Sequence, residues 1–89
     1  MTRIEKIRAA LEQALRPLRV EIEDESHLHA GHAGALTGRG HYKVLIVATA
    51  FQNLGPAQRH REVYAALGSL MQSDIHAISI RALTPAEVP

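Results

Sequence analysis

Histidine is the residue type with the clearest chemical potential in this sequence. The chain has six histidines and no cysteine, and four of the six fall between positions 27 and 41. Three of them occur in the run Ser26-His27-Leu28-His29-Ala30-Gly31-His32. Neutral imidazole is a common metal ligand, and three imidazoles at this spacing are able to chelate a transition metal. A solvated glycine-rich loop with incidental histidines is the alternative interpretation.

The other three histidines have different expected roles. His41 adjoins a predicted strand and is expected to support the base of the histidine loop. His60 lies on the apolar stripe of a predicted helix, which favours a packed, hydrogen-bonded side chain. His76 lies at the start of the last predicted strand, and the alternation places it on the face of Ile78 and Ile80. A half-buried histidine bonded to the backbone and a metal ligand both fit that position.

No catalytic motif accompanies the histidines, so no enzymatic turnover is expected from this chain alone. Ser26 precedes histidines but does not lie in a strand-turn-helix elbow. The carboxylates of Asp24 and Glu25 are neighbours, and neighbouring side chains point apart in an extended chain. The sequence has neither a glycine-rich phosphate loop ending in Lys-Ser/Thr nor a dinucleotide fingerprint.

One short basic stretch, Arg59-His60-Arg61, suits contact with phosphates. A solvated helix face explains it equally well. The formal net charge of +1 argues against a strongly basic nucleic-acid binder. The aromatic content of 3% leaves few rings on which bases could stack.

Length and composition predict one small globular domain spanning residues 1–89. Hydrophobic residues make up 46% of the chain and charged residues 21%, which argues against disorder. No apolar run approaches the roughly 18 residues that span a bilayer, and no signal-peptide pattern opens the chain. A soluble cytoplasmic protein without membrane contact is therefore expected.

The chain opens on a predicted amphipathic helix. Thr2 and Glu5 fit a capping box, in which each side chain accepts the other's backbone N–H. Apolar residues then recur at helical spacing, and Pro17 predicts that the helix ends near Leu15.

Two strands are predicted to flank the histidine loop. Residues 19–23 alternate between apolar and charged side chains, which is typical of a half-buried strand. Residues 24–40 have no usable period and hold four glycines, so they are predicted to form a loop. Residues 42–48 form a nearly unbroken apolar run rich in β-branched side chains, which indicates a central strand.

The second half repeats a helix-then-strand pattern. A short connector at residues 50–54 leads to Gly55-Pro56, which opens a helix predicted to run to residues 72–74. Its predicted stripe includes His60, Val63, Tyr64, Leu67, Leu70 and Met71. Residues 75–83 alternate as a strand, and residues 84–87 fit one further helical turn. Because a helical crossover precedes it, this strand is predicted to lie parallel to the one before it.

These segments together resemble the BolA family. The matching stretches are Val20-x-Ile22-x-Asp24-Glu25-Ser26-x-x-His29, His41-Tyr42-Lys43-Val44, Phe51-x-x-Leu54, Gln58-Arg59-His60-Arg61-x-Val63-Tyr64, Ile75-His76-Ala77-Ile78-Ser79-Ile80 and Thr84-Pro85. The resemblance covers essentially the whole chain. It implies an α+β fold of order α-β-β-α-α-β, with a three-stranded mixed sheet, helices on one face and a likeness to the type II KH domain.

The resemblance also implies a function in iron–sulfur cluster transfer or iron homeostasis. BolA proteins pair with monothiol glutaredoxins of the Cys-Gly-Phe-Ser type, and the pair shares a [2Fe–2S] cluster with glutathione. By position, the ligands from this chain are His29 and His76, with His27 and His32 as substitutes within the loop. No cofactor is expected in the isolated chain, which is expected to be a monomer or a weak dimer. Histidine ligation raises the reduction potential of such clusters, as in Rieske centres.

The same resemblance implies an alternative function as a DNA-binding transcriptional regulator of stress response and cell morphology. KH-like folds bind single-stranded nucleic acid through a helix-turn-helix element with a Gly-x-x-Gly loop. The corresponding region here offers Arg59 and Arg61 as phosphate contacts. That region, residues 51–61, has Asn53 where the family usually has glycine, and it contains no Gly-x-x-Gly. Asn tolerates a left-handed backbone, which preserves the turn.

Overall fold

The structure is a computed structural model that describes residues 1–29 and 39–89, without the side chains of Leu28 and His29. The described part contains α1 (Arg3–Leu15), β1 (Arg19–Asp24), β2 (Gly40–Val47), α2 (Pro56–Leu67), α3 (Leu70–Ser73) and β3 (Ile75–Leu83). Single 3-10 turns lie at Ser26–His29, Thr49–Phe51 and Pro85–Glu87. The predicted α+β class and the order α-β-β-α-α-β are confirmed for these residues.

The predicted loop at residues 24–40 is only partly described. Its first residue, Asp24, ends β1, and its last, Gly40, begins β2. The turn at Ser26–His29 is helical rather than irregular. Residues 30–38, including His32 and three of the loop glycines, lie outside the described residues.

Helix α1 begins and ends where the sequence predicts. Thr2 and Glu5 form the capping box, with both bonds at 3.1 Å. Arg16 follows the helix in the left-handed conformation, and its N–H donates to the Glu12 carbonyl. At 13 residues α1 is the longest described helix, and within the described ranges no helix is long and apolar enough to cross a membrane.

The sheet has the predicted mixed topology, with strand order β1-β2-β3. β1 and β2 pair antiparallel, and β2 and β3 pair parallel. Because a parallel pair needs a crossover connection, α2 and α3 lie between β2 and β3 in the chain. Parallel pairing also brings the start of β2 and the start of β3 to the same end of the sheet.

The core lies between the helices and one face of the sheet. From β2 it takes Tyr42, Val44 and Ile46, which are at most 4% exposed. The helical and turn residues packed against them are Ile7, Leu11, Leu15, Phe51, Val63 and Leu67. Full burial of one such large side chain contributes about 2 kcal/mol. The opposite face of the sheet exposes charged side chains such as Lys43 and Arg81.

The predicted second helix is in fact two helices. α2 ends at Leu67, and α3 begins at Leu70. Gly68 separates them with φ 53° and ψ −128°, a conformation that L side chains rarely adopt. The apolar spacing continues across the break, which is why the sequence pattern alone predicts a single helix.

Candidate metal centre

Two histidines meet where β2 and β3 start. The ring centroids of His41 and His76 are 5.0 Å apart, and the ring planes are inclined by 50°. His41 is 8% exposed, whereas His76 is exposed to solvent. The pair forms because parallel pairing places the first residues of both strands side by side.

His76 points to solvent because β3 carries an irregularity at this residue. Gly40 pairs with Ile75 and His41 pairs with Ala77, so His76 is an extra residue opposite one step of β2. Such a bulge interrupts the strict alternation of faces. The prediction that His76 shares a face with Ile78 and Ile80 is therefore wrong.

The Asp-Glu-Ser stretch holds the base of the histidine loop. The Asp24 carboxylate accepts the Ser26 N–H at 2.9 Å, and the Ser26 hydroxyl accepts the His41 N–H at 3.0 Å. The Glu25 N–H donates to the His41 carbonyl at 2.8 Å. Bonds from the Ser26 hydroxyl and backbone hold the pKa of Asp24 below its usual value. The backbone of His41 is thus fixed on both sides at the loop base.

The start of β2 is also tied to the end of α3. The Gly40 N–H donates to the Asp74 carbonyl at 2.9 Å. The Asp74 carboxylate accepts the Ser73 hydroxyl at 2.5 Å and pairs with Arg3 and Lys6 of α1 at 3.4 and 3.5 Å. The Ser73 hydroxyl, followed by these cations, lowers the pKa of Asp74. This buried carboxylate joins α1, α3 and the site.

The loop histidines are only partly described. His27 is exposed on the turn at Ser26–His29. The backbone of His29 belongs to the same turn, and its side chain is not described. His32 lies outside the described residues. Within the described ranges, no three metal-binding side chains come together.

Arg39 is a neighbour of His76 that the sequence analysis missed. Its Nη2 lies 3.4 Å from His76 Nδ1, and its Nη1 donates to the Gln72 carbonyl at 3.5 Å. Arg39 directly precedes β2, and His76 is 37 positions away in the chain. Only the register of β2 against β3 brings them together, so no local sequence signal could have indicated the contact.

In the basic stretch of α2, Arg59 is turned towards the protein rather than towards solvent. The sequence predicts Arg59 as a phosphate contact, but its side chain is only 13% exposed. It donates to the carbonyls of Leu54 and Ala82 and forms two bonds to the Glu87 carboxylate. Arg59 therefore holds the end of the chain against α2, and its assignment to nucleic-acid contact is corrected.

The neighbours of Arg59 lie on the solvent side of α2. His60 is exposed, so the prediction of a packed histidine is wrong. The buried residues of α2 are Val63 and Leu67. Arg61 is exposed, as a phosphate contact requires. Asn53 has φ 65°, so the left-handed turn expected there is present.

Comparison with known proteins identifies relatives that match most of the chain. The family model described as BolA-like protein matches residues 11–87. BolA-like protein 1 of Mus musculus is 44% identical over 81 residues, which cover 91% of this chain and 57% of that protein. The DNA-binding transcriptional regulator BolA of Haemophilus influenzae is 33% identical, over 91% of this chain and 76% of that protein.

A solved structure agrees with these matches. The BolA domain of SufE1 from Arabidopsis thaliana has a TM-score of 0.86 and 42% identity, covering 99% of this chain and 98% of that domain. This chain spans 24% of SufE-like protein 1 of Arabidopsis thaliana, and just over half of the mouse relative. The match over residues 11–87, together with the shared fold, establishes that the chain belongs to the BolA family.

Proposed function

We propose that this chain is a non-enzymatic partner of a monothiol glutaredoxin and co-ligates a [2Fe–2S] cluster in cluster transfer or iron homeostasis. The observation that carries the proposal is the position of His76. Its imidazole is exposed at the end of the sheet, beside the ring of His41. The His41 N–H in turn donates to the Ser26 hydroxyl at the base of the histidine loop. A metal bound there would be accessible to a second protein. The name SufE-like, printed for one relative, fits a role related to iron and sulfur.

The donor set of the chain suits a shared cluster. Cysteine is absent, so this chain can offer imidazole but no thiolate. His76 supplies one imidazole, and His29 is the proposed second ligand, with His27 or His32 as substitutes. The thiolates then come from the glutaredoxin and its glutathione. Histidine in place of thiolate is known to raise the potential of [2Fe–2S] centres.

Reconstitution of the pair tests this function. The purified chain is mixed with a monothiol glutaredoxin, iron, sulfide and glutathione, and visible absorption and circular dichroism are compared with those of the glutaredoxin alone. New bands are expected for the wild-type chain. His76→Ala should abolish them, whereas His60→Ala, which removes an exposed imidazole from α2, should leave them intact. Spectra identical to those of the glutaredoxin alone would overturn the proposal.

The loop ligand is resolved by substitution in the same assay. His29→Ala should weaken the new bands, and a residual signal should disappear when His27 and His32 are also replaced by alanine. A triple variant that retains the full wild-type spectrum would show that the second imidazole comes from elsewhere. His41, whose ring lies 5.0 Å from His76, would then be the next candidate to replace.

DNA binding is the second candidate function, and a relative named as a DNA-binding transcriptional regulator favours it. In this chain the left-handed turn at Asn53 and the exposed Arg61 are available for it. Affinity should fall with salt, and Arg61→Ala should reduce the salt slope by about one unit. Arg59→Ala should act mainly by destabilising the fold. Binding that is undetectable or independent of salt would exclude this function.

The cytoplasm is the proposed location, from composition alone. Two Arabidopsis thaliana relatives carry the words chloroplastic or mitochondrial in their names, which makes an organelle the alternative location. The same reconstitution assay applies to either location, because it uses only the purified proteins, glutathione, iron and sulfide.

A further inference from the structure

The guanidinium of Arg39 lies within hydrogen-bond distance of one ring nitrogen of His76. Nη2 of Arg39 lies 3.4 Å from Nδ1 of His76, and Nη1 lies 3.5 Å from the carbonyl oxygen of Gln72. The guanidinium therefore bridges the end of α3 and the start of β3. His41 packs on the same imidazole at a centroid distance of 5.0 Å. His76 is thus exposed, yet its orientation is fixed by two neighbours.

Hydrogen-bond chemistry determines which nitrogen carries the proton. A guanidinium has five N–H donors and no acceptor, and it stays charged in proteins. Nδ1 of His76 must therefore accept. Neutral imidazole has one donor and one acceptor nitrogen, so its proton must be on Nε2. The contact with Arg39 selects this tautomer of His76.

A metal needs a lone pair that this contact does not leave available. The lone pair on Nδ1 points to Arg39. A lone pair on Nε2 exists only in the other tautomer, whose Nδ1–H would face a guanidinium N–H. Coordination through either nitrogen must therefore break the contact between Arg39 and His76.

We propose that Arg39 competes with the metal for His76, and so weakens cluster binding while orienting the imidazole in the cluster-free chain. This role in cluster binding rests on the proposed function, because the cluster itself is part of that proposal. It assigns Arg39 a role as a positioning residue rather than a ligand. The contact is a single long hydrogen bond near the surface, and its loss should strengthen cluster binding by about two- to tenfold.

Nitrogen NMR of the metal-free chain tests the contact without any cluster. At a pH where the imidazoles are neutral, long-range proton–nitrogen spectra distinguish the two tautomers of His76. The wild-type chain should show only the form protonated on Nε2. Arg39→Met, which keeps the aliphatic length but removes every donor, should populate the form protonated on Nδ1. The form protonated on Nδ1 in the wild type, or identical spectra for both proteins, would overturn the inference.

The matched control separates the contact from the charge. Arg81→Met removes an exposed cation from β3, the strand that carries His76, at a position that pairs with Leu45. In the glutaredoxin assay, Arg39→Met should lower the chain concentration at half-saturation about two- to tenfold, and Arg81→Met should not. Equal effects of both variants would assign the change to charge and reject the competition. If the wild-type chain shares no cluster, the proposed function fails, and the NMR result alone decides whether Arg39 binds Nδ1.

Discussion

The ring of Tyr42 fills the space that a side chain at Gly40 would need. A β-carbon built on Gly40 would lie 2.6 Å from both Cε2 and Cζ of the Tyr42 ring. Tyr42 is 4% exposed, and burial is the main cause that raises the pKa of its hydroxyl. Gly40 stands between Arg39 and His41, the two residues that contact His76.

Gly40→Ala should destabilise the protein by about 1–3 kcal/mol, because the tyrosine ring must move out of a packed core. Urea unfolding measures the change. In a Tyr42→Leu background the same substitution should be less destabilising, since the clashing ring is absent. Full additivity of the two changes would show that the ring does not limit the space at Gly40.

Ser26→Ala should remove the acceptor of the His41 N–H and reduce the free energy of unfolding by about 1 kcal/mol. The loss of this particular hydrogen bond should appear as faster hydrogen exchange of the His41 amide. Ser26→Thr keeps the hydroxyl and should keep the protection. Ser79→Ala, on an exposed position of β3, should stay within about 0.5 kcal/mol of the wild type. Unchanged exchange at His41 in Ser26→Ala would contradict the assigned role.

The pair Arg59–Glu87 should make stability depend on acid pH. Hydrogen bonds from Arg59 and, second, from the Thr84 N–H lower the pKa of Glu87 from 4.5 to about 2. Because the native pKa is the lower one, the stabilisation is complete above about pH 4.5 and is lost as the pH falls towards 2. The thermal midpoint measured across this range should fall less steeply in Glu87→Gln. Arg61→Ala, which removes an exposed cation from α2, should keep the wild-type slope, and a slope unchanged by Glu87→Gln would refute the assignment.

Gly68→Ala should destabilise the break between α2 and α3 by roughly 1–3 kcal/mol. Here the cause is the backbone rather than space, because a β-carbon would meet only the Ala65 carbonyl at 3.9 Å, whereas φ is 53°. Gly55→Ala is the control, with φ −77° and no atom within 4 Å of the added carbon. It should be the milder change in urea unfolding. Equal effects at both positions would show that the positive φ is not the cause.

The sequence alone determined the elements of the fold. Local rules act over a few residues, and they placed the capping box of Thr2 and Glu5, the end of α1 before Pro17, and the start of α2 at Pro56. Periodicity identified all three strands, and the crossover rule predicted that β3 lies parallel to β2. The apolar pattern did not reveal the break between α2 and α3, because Gly68 leaves the apolar spacing unchanged. Only the family resemblance implied two helices there.

Tertiary structure decided how the site is assembled. A bulge turns His76 to solvent, and strand register places it against His41 and Arg39, which no local pattern encodes. Packing also exchanged the expected roles on α2, because Arg59 finds acceptors on the end of the chain, while His60 faces water. Residue type excluded thiolate ligands from this chain, since it has no cysteine. Long-range pairing of strands determined which nitrogen atoms and cations meet there.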